Sequence, residues 1–192
     1  MKRNKFIVSL LASIAIPFSS ISQLKRSLFR NDKGFKVKAG EGRIHGHIDM
    51  QVALSSIIDV KISGKDTDGD LAIFEQTAVL PGRGWPRHVH YSQDKIFYVT
   101  EGEYLFMLGD DKYRLNAGDT IYIPRKRPHA WTQLSETGKA TITLQPAGKL
   151  EAFFVAIASL THDPTPDEMQ KIFTDHEMEI IGPALRAEEA EY

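Results

Sequence analysis

The sequence predicts an all-β domain, either a sandwich or a barrel, with helices after it. Six short segments are rich in Val, Ile, Phe, Tyr and Thr, the residues that favour strands. Clusters of Gly, Asp, Asn and Pro separate the segments at regular intervals, as turns do. Many short strands at this spacing are typical of sandwiches and barrels. The predicted strands are Ile57–Ser63, Leu71–Val79, Ile96–Thr100, Glu103–Leu108, Thr120–Ile123 and Ala140–Leu144.

A helical period appears only after residue 149. The apolar segment Leu150–Leu160 fits one helix. Thr165, followed by a proline and then by Glu168, has the pattern of a capping box and predicts the start of a second helix. We expect both helices to pack on the outside of the barrel rather than to form a separate domain.

Length and composition fit one domain with a terminal extension. The chain has 192 residues, of which 42% are hydrophobic and 26% are charged, as in an ordinary globular protein. It contains no cysteine. The sequence therefore excludes disulfide frameworks, thiolate zinc sites, a cysteine nucleophile and a lipid-modified cysteine.

Charge is unevenly distributed although the net charge is only -1. Residues 1–43 hold ten of the 24 Lys and Arg residues but only two of the 25 acidic residues, which leaves 14 basic and 23 acidic residues in the rest of the chain. The predicted folded domain is therefore about nine units negative. A nucleic-acid-binding domain should instead carry a basic face, so we expect no nucleic-acid partner.

The N-terminus has the layout of a secretory signal peptide. Basic residues precede the apolar stretch Phe6–Phe18, and small polar residues then lead to a predicted cleavage site before Gln23. The stretch is shorter than the roughly 20 apolar residues that a membrane span needs. A buried or amphipathic N-terminal helix is the alternative. We therefore predict an exported protein, periplasmic or secreted, with no stable membrane span after cleavage.

The predicted organisation has four parts. They are a signal peptide at 1–22, a basic N-terminal segment at 23–44, a barrel at 45–148 and a C-terminal helical extension at 149–192.

Histidines are the main chemical resource of the barrel. His88 and His90 lie two residues apart, so in a strand their imidazoles point to the same face and can converge on one ion or ligand. His129 is a third candidate at the start of another predicted strand. His45 and His47 have the same spacing, but no partner pattern accompanies them and we assign them no site.

These histidines lie within two motifs that resemble those of the cupin superfamily, specifically its small single-domain, quercetin dioxygenase-like members. The first motif is matched in spacing by Gly82, the His88 and His90 pair, position 95 and Gly102. The second motif is matched by Gly118, Pro124 and His129, whereas its glycine is Lys126 here and its asparagine is Gln133. The similarity covers about residues 45–148.

The resemblance implies a double-stranded β-helix jelly roll with a cavity inside it. It also implies a divalent metal (Fe, Mn, Ni, Cu or Zn) that is bound by three histidines and a glutamate, together with a small-molecule ligand. The matching positions would be His88, His90 and His129 for the histidines and position 95 for the glutamate. Dimerisation is common in the family, so a homodimer is possible.

The chain departs from the family at the glutamate position, which is Lys95. A protonated lysine offers no lone pair, and its charge repels a divalent cation. Three interpretations stay open for Lys95. It points into the cavity as a base, a Schiff-base amine or an anion ligand; it pairs with a cavity carboxylate, for which Glu75 is the first candidate; or a bulge turns it to solvent.

Two further side chains share strand parity with His129. Trp131 and Gln133 face inward if His129 does, which would give the cavity an aromatic wall and an amide. Trp131 could equally be an ordinary core residue.

Two functions from different classes follow. The first is a mononuclear metal-dependent oxidoreductase that resembles the quercetin-type dioxygenases. The second is a non-catalytic or metal-free module that binds a small molecule, because Lys95 replaces the glutamate ligand. The cupin scaffold alone does not distinguish them, since one fold hosts many activities.

Overall fold

A computed structural model describes residues 33–50, 56–78, 80–82 and 84–191. The predicted signal peptide, 1–22, and residues 23–32 of the predicted basic segment lie outside the described residues, so export stays a prediction. Among the helices in the described part of the chain, none is both long and apolar enough to cross a membrane.

The described chain forms two antiparallel sheets that face each other, which confirms the all-β jelly-roll prediction. The first sheet has the order β1, β2, β3, β10, β5, β8, and the second has the order β11, β4, β9, β6, β7. The strands are β1 (His47–Asp49), β2 (Ser56–Ile62), β3 (Ala72–Ala78), β4 (Pro86–His90), β5 (Asp94–Glu101), β6 (Glu103–Leu108), β7 (Asp111–Asn116), β8 (Thr120–Ile123), β9 (His129–Gln133), β10 (Gly138–Gln145) and β11 (Met178–Ala184).

Alternation along the strands sends one side chain in two into the space between the sheets. In β5, Lys95, Phe97 and Val99 are buried while Ile96 and Tyr98 are exposed. The ring of Phe97 packs against aromatic rings from the second sheet, at centroid distances of 4.8 to 5.5 Å. The core is therefore an aromatic layer in the middle of the barrel.

Two helices follow the barrel, α1 (Leu150–Ala158) and α2 (Pro166–Asp175). The capping box of Thr165 and Glu168 is present at the start of α2, as the sequence predicts. As expected, the helices form no separate domain, but the outer position expected for α1 is wrong. Because the apolar face of α1 belongs to the main core, α1 closes one end of the barrel interior instead of lying on its outer surface.

The two helices differ in how strongly they are held. α1 buries Leu150, Phe153, Phe154 and Ile157, whereas Phe173 is the one fully buried side chain of α2. Full burial of such a side chain contributes about 1.5–3 kcal/mol. α1 is therefore anchored several times more firmly than α2.

The predicted helical extension, 149–192, also needs correction, because it contains strand β11. Met178 of β11 pairs with His90 and Ile180 pairs with His88, so the tail adds an edge strand next to β4. Pairing partners that lie about ninety residues apart leave no local pattern in the sequence. The tail is thus an integral part of the second sheet.

The turn between β8 and β9 holds Lys126 at a φ of 65°, where the cupin motif has glycine. A side chain with a Cβ pays about 1 kcal/mol for this left-handed conformation. The backbone N–H of Lys126 donates to the carbonyl of His90 at 2.7 Å, which fixes the turn in place.

We predict that Lys126→Gly raises the free energy of unfolding by about 1 kcal/mol, because glycine adopts this conformation without the steric cost. Urea denaturation measures the change. Lys126→Ala is the control: it keeps the strained backbone and should stay within about 0.5 kcal/mol of the wild type. Equal stability of all three proteins would show that the turn carries no strain.

Candidate functional site

Three histidines converge at one end of the barrel. β4 lies beside β9, and the register places His88 directly opposite His129. The ring centroids are 4.3 Å apart for His88 and His129, 5.2 Å for His88 and His90, and 5.4 Å for His90 and His129. One ring nitrogen from each lies within 4.8 Å of the others, and all three side chains are buried.

Hydrogen bonds to the Nδ1 atoms orient the three rings. His88 and His129 each donate Nδ1–H to the backbone carbonyl two residues earlier, at 2.7 and 3.1 Å. His90 donates Nδ1–H to Oε1 of Gln93 at 2.8 Å. When Nδ1 holds the proton, Nε2 of a neutral imidazole carries a free electron pair. Nε2 of His90 is buried and has no hydrogen-bond partner among the residues that the structure describes.

Burial keeps these imidazoles neutral. Desolvation, followed by the nearby charge of Lys95, lowers the pKa of His88 to about 3. The same two causes, in the same order, hold the pKa values of His90 and His129 well below the usual range. At neutral pH the three rings therefore present lone pairs and not protons.

Lys95 points into this site. Its side chain is buried between Leu144 and Ile123 on the neighbouring strands, and its Nζ lies 3.2 Å from Nε2 of His129. Desolvation lowers the Lys95 pKa to about 7. Of the three interpretations, the structure supports the inward one and excludes the solvent-facing one.

Glu75 is not the partner of Lys95, and this expectation is wrong. Glu75 points to the outer face of β3, where its carboxylate pairs with Lys61 at 3.2 Å, while its neighbour Phe74 faces the core. Strand alternation explains the difference. Within the described part of the chain, no carboxylate pairs with Lys95.

The cavity beside the histidines is small, about 20 Å³. Apart from the polar groups, its walls are apolar and mostly aromatic, and several of them come from the C-terminal tail. The lining residues are Trp85, His88, His90, Lys95, Trp131, Ile142, Leu150, Phe153, Phe154, Phe173 and Met178.

Trp131 lines the cavity, but Gln133 does not. His129, Trp131 and Gln133 all face inward from β9, and an extended strand rises about 3.3 Å per residue. Gln133 therefore lies about 13 Å from His129 along the strand, on the far side of the Trp131 indole. There its amide donates to the backbone carbonyl of Ser135 at 2.6 Å.

The other strand-spaced pair forms no shared site. His45 contacts the carboxylate of Glu151 at 3.0 Å, whereas His47 contacts that of Asp59 at 2.7 Å. The two imidazoles therefore serve different local contacts.

Comparison with known proteins agrees with this architecture and motif spacing. The sequence model of the family described as "Cupin domain" matches residues 75–144, just over a third of the chain, including all of β4 to β9. Residues 75–144 therefore form a cupin domain.

Three relatives illustrate the range of similarity to this cupin. An uncharacterized protein of Methanocaldococcus jannaschii is 48% identical over 42 residues, which are 22% of this chain and 34% of that protein, so the match spans about a third of its length. The structure of Pac13, a nucleoside dehydratase, aligns with a TM-score of 0.51 at 12% identity over 80% of this chain and 95% of that chain. KdgF from Halomonas sp. aligns with a TM-score of 0.46 at 21% identity over 50% of this chain and 84% of that chain. The structural similarity to Pac13, at 12% identity, shows the fold alone.

Several residues of this cupin site are absent from the sequence prediction. Trp85 and Phe173 lie outside the motifs, and their inward orientation depends on a loop and on helix α2. Gln93 lies between the two motif positions His90 and Lys95, and its side chain supports His90. A polar residue three positions after a metal-ligand candidate is too weak a signal to predict such support.

Gly148 holds Gln93 in place from the other side. It has a φ of 55°, and a Cβ at this position would lie 1.3 Å from Nε2 of Gln93. The amide that orients His90 thus packs against bare backbone. Glycine at this position is a requirement of the site and not only of the turn.

We predict that Gly148→Ala destabilises this cupin by about 1–3 kcal/mol more than Gly69→Ala does. Gly69 is the matched control, because its φ is 82° but nothing lies within 4 Å of an added Cβ. Urea denaturation measures the difference, and side-chain NMR should show a shift of the His90 ring signals in Gly148→Ala only. An equal loss of unfolding free energy in both variants would mean that the contact with Gln93 does not contribute to stability.

Proposed function

We propose that this cupin binds one divalent transition metal through His88, His90 and His129 and acts as a metal-dependent oxidoreductase on a small molecule, in the manner of quercetin-type dioxygenases. The observation that carries the proposal is the set of three buried imidazoles whose Nδ1–H groups are all engaged. Such hydrogen bonds fix metal-ligating histidines in the required tautomer. Nε2 of His90, which no described residue contacts through a hydrogen bond, is the kind of buried atom that a cation would satisfy.

The donor set fits a first-row transition metal. Neutral imidazole suits iron, nickel, copper and zinc, and a site with three protein ligands leaves positions open for a substrate. When bound, such a metal supplies Lewis acidity and, for iron or copper, redox chemistry at a substrate oxygen.

Lys95 limits this site through its charge. A protonated amine 4 Å from a unit charge costs about 4 kcal/mol when the effective dielectric constant is 20, and a divalent ion doubles that cost. Loss of the proton removes this repulsion, and burial has already lowered the Lys95 pKa to about 7. The neutral amine, which carries a lone pair, is therefore compatible with a metal at the three histidines.

The remaining walls limit the contact of the site with solvent. Trp85, Trp131 and Phe153 surround it with apolar surface. In such a dry cavity the Nζ of Lys95 can hold an anionic oxygen or accept a proton from a substrate hydroxyl, the role that a neighbouring base would need to perform.

We predict that the full chain, purified without a histidine tag, contains close to one metal ion per chain. The His88→Ala, His129→Ala double variant should contain none, because it leaves a single imidazole. Elemental analysis by mass spectrometry measures the content after reconstitution with Fe, Mn, Ni, Cu and Zn in turn. Oxygen uptake with chelating enol and phenol substrates then tests the oxidoreductase activity of the protein that contains metal. Metal at background level in the wild type would contradict the metal site.

We also predict that Lys95→Glu raises metal affinity by more than about tenfold. The substitution removes a positive charge that repels the metal cation, and it adds a carboxylate ligand. Lys95→Met separates the two effects, because it removes the charge but adds no ligand, and it should fall between the wild type and Lys95→Glu. Competition with a chelator of known affinity measures all three proteins. An affinity of Lys95→Met below that of the wild type would show instead that the amine itself is a ligand.

A metal-free function is the second candidate, and the 3.2 Å contact between Nζ of Lys95 and Nε2 of His129 favours it. In this arrangement the ammonium group takes the place of the cation, and the domain binds a small anionic molecule without a metal. Background metal in the wild type together with tight metal binding by Lys95→Glu would support this second candidate.

A further inference from the structure

The cavity beside the histidines is too small for an organic substrate. Its volume of about 20 Å³ holds one or two water-sized groups. Small-molecule sites are usually about 300–1,000 Å³. Any ligand larger than these groups can reach the imidazoles only if part of the wall moves.

One aromatic ring packs directly against the histidine site. The ring of Phe173 packs edge-on against His88 at a centroid distance of 5.4 Å. It also packs against Phe153 at 4.9 Å and against Trp85 at 6.0 Å. Phe173 is thus surrounded by the rings of Trp85, Phe153 and His88, and His88 is a candidate metal ligand.

Helix α2, which carries Phe173, is the wall that is held least firmly. Phe173 is its only fully buried side chain, and Met169 and Ile172 are partly buried. The connection before it, residues 159–165, is mostly exposed. At its other end Glu177 adopts a φ of 65°, so the chain turns sharply between α2 and β11.

The side chain of Lys149 joins the end of α2 to the start of α1. The Nζ of Lys149 pairs with the carboxylate of Glu177 at 3.2 Å and also reaches the carbonyl of Asp175 at 3.5 Å. Both side chains are about half exposed, so this latch is weak.

We propose that α2 is a displaceable lid and that Phe173 is its plug, so that a ligand with one planar aromatic ring takes the place of the Phe173 ring beside His88. The ring would lie between Trp85 and Phe153, with its polar substituent directed at the imidazoles and Lys95. The assignment of an aromatic substrate rests on the proposed function. The movement of α2 does not, because it requires no metal.

The first experiment uses the metal-free full chain and benzene as the probe. Phe173→Ala should bind benzene, with a rise in melting temperature and a shift of the His88 ring signals in NMR. Phe74→Ala is the matched control: Phe74 is equally buried but does not line the cavity, so benzene should leave His88 unchanged. If Phe173→Ala does not fold, Phe173→Leu is used instead, because it leaves a smaller cavity. No shift of His88 in a folded Phe173 variant at saturating benzene would overturn the assignment of the ring site.

The second experiment tests opening through the latch. The chain has two tryptophans, Trp85 and Trp131, and both line the cavity, so acrylamide quenching of fluorescence reports its exposure. Lys149→Glu should raise the quenching rate by up to about fivefold, which corresponds to about 1 kcal/mol at 1.4 kcal/mol per tenfold. The charge-reversed double variant Lys149→Glu, Glu177→Lys should return to the wild-type rate. Identical quenching in all three proteins would mean that α2 does not open. Neither experiment contains metal, so failure of the metal site would leave both results unaffected.

Discussion

Four basic side chains share the buried interior at one end of this barrel, and no carboxylate of the described residues pairs with Lys95 there. Strand alternation sends His88, His90, His129 and Lys95 inward, and the apolar walls remove the water that would solvate a charge. The imidazoles respond by staying neutral, which leaves three lone pairs without a cation. A metal ion could engage all three lone pairs, whereas the amine of Lys95 contacts only that of His129. Every functional statement about the site depends on which of the two contacts the imidazoles.

Support for the site extends outward in a defined chain of contacts. The side-chain oxygen of Gln93 accepts a hydrogen bond from Nδ1–H of His90, and Gly148, which has no Cβ, leaves room for the Gln93 side chain. Gly148 lies just before α1, the helix that closes the end of the barrel. The ligand geometry and the closure of the site are therefore built from the same loop. At the other end of the barrel, Gln133 and the hydroxyl of Tyr104 lie beyond the aromatic layer and take no part in this chemistry.

The sequence predicts the parts of this site that depend on local spacing. A period of two brings His88 and His90 to one face, and the motif spacing identifies His129. Orientation that depends on distant pairing is not visible in the sequence. The inward position of Lys95 follows from its register with β8 and β10, and the exclusion of Gln133 follows from the size of the indole between it and His129. The β11 strand was missed for the same reason, since its partner lies in β4.

The pairing of β11 with β4 links access to the site with the geometry of its ligands. β4 carries two of the three histidines, and its edge is covered by the strand that begins just after α2. A movement of α2 is limited by Glu177 and by the first pair of that ladder, Met178 with His90. Because Met178 also lines the cavity, opening cannot extend past this residue without disturbing the strand that positions the imidazoles. The fold therefore confines the proposed motion to α2 and the loop before it. The Nε2 atoms of the three histidines stay in place when Phe173 moves away from them.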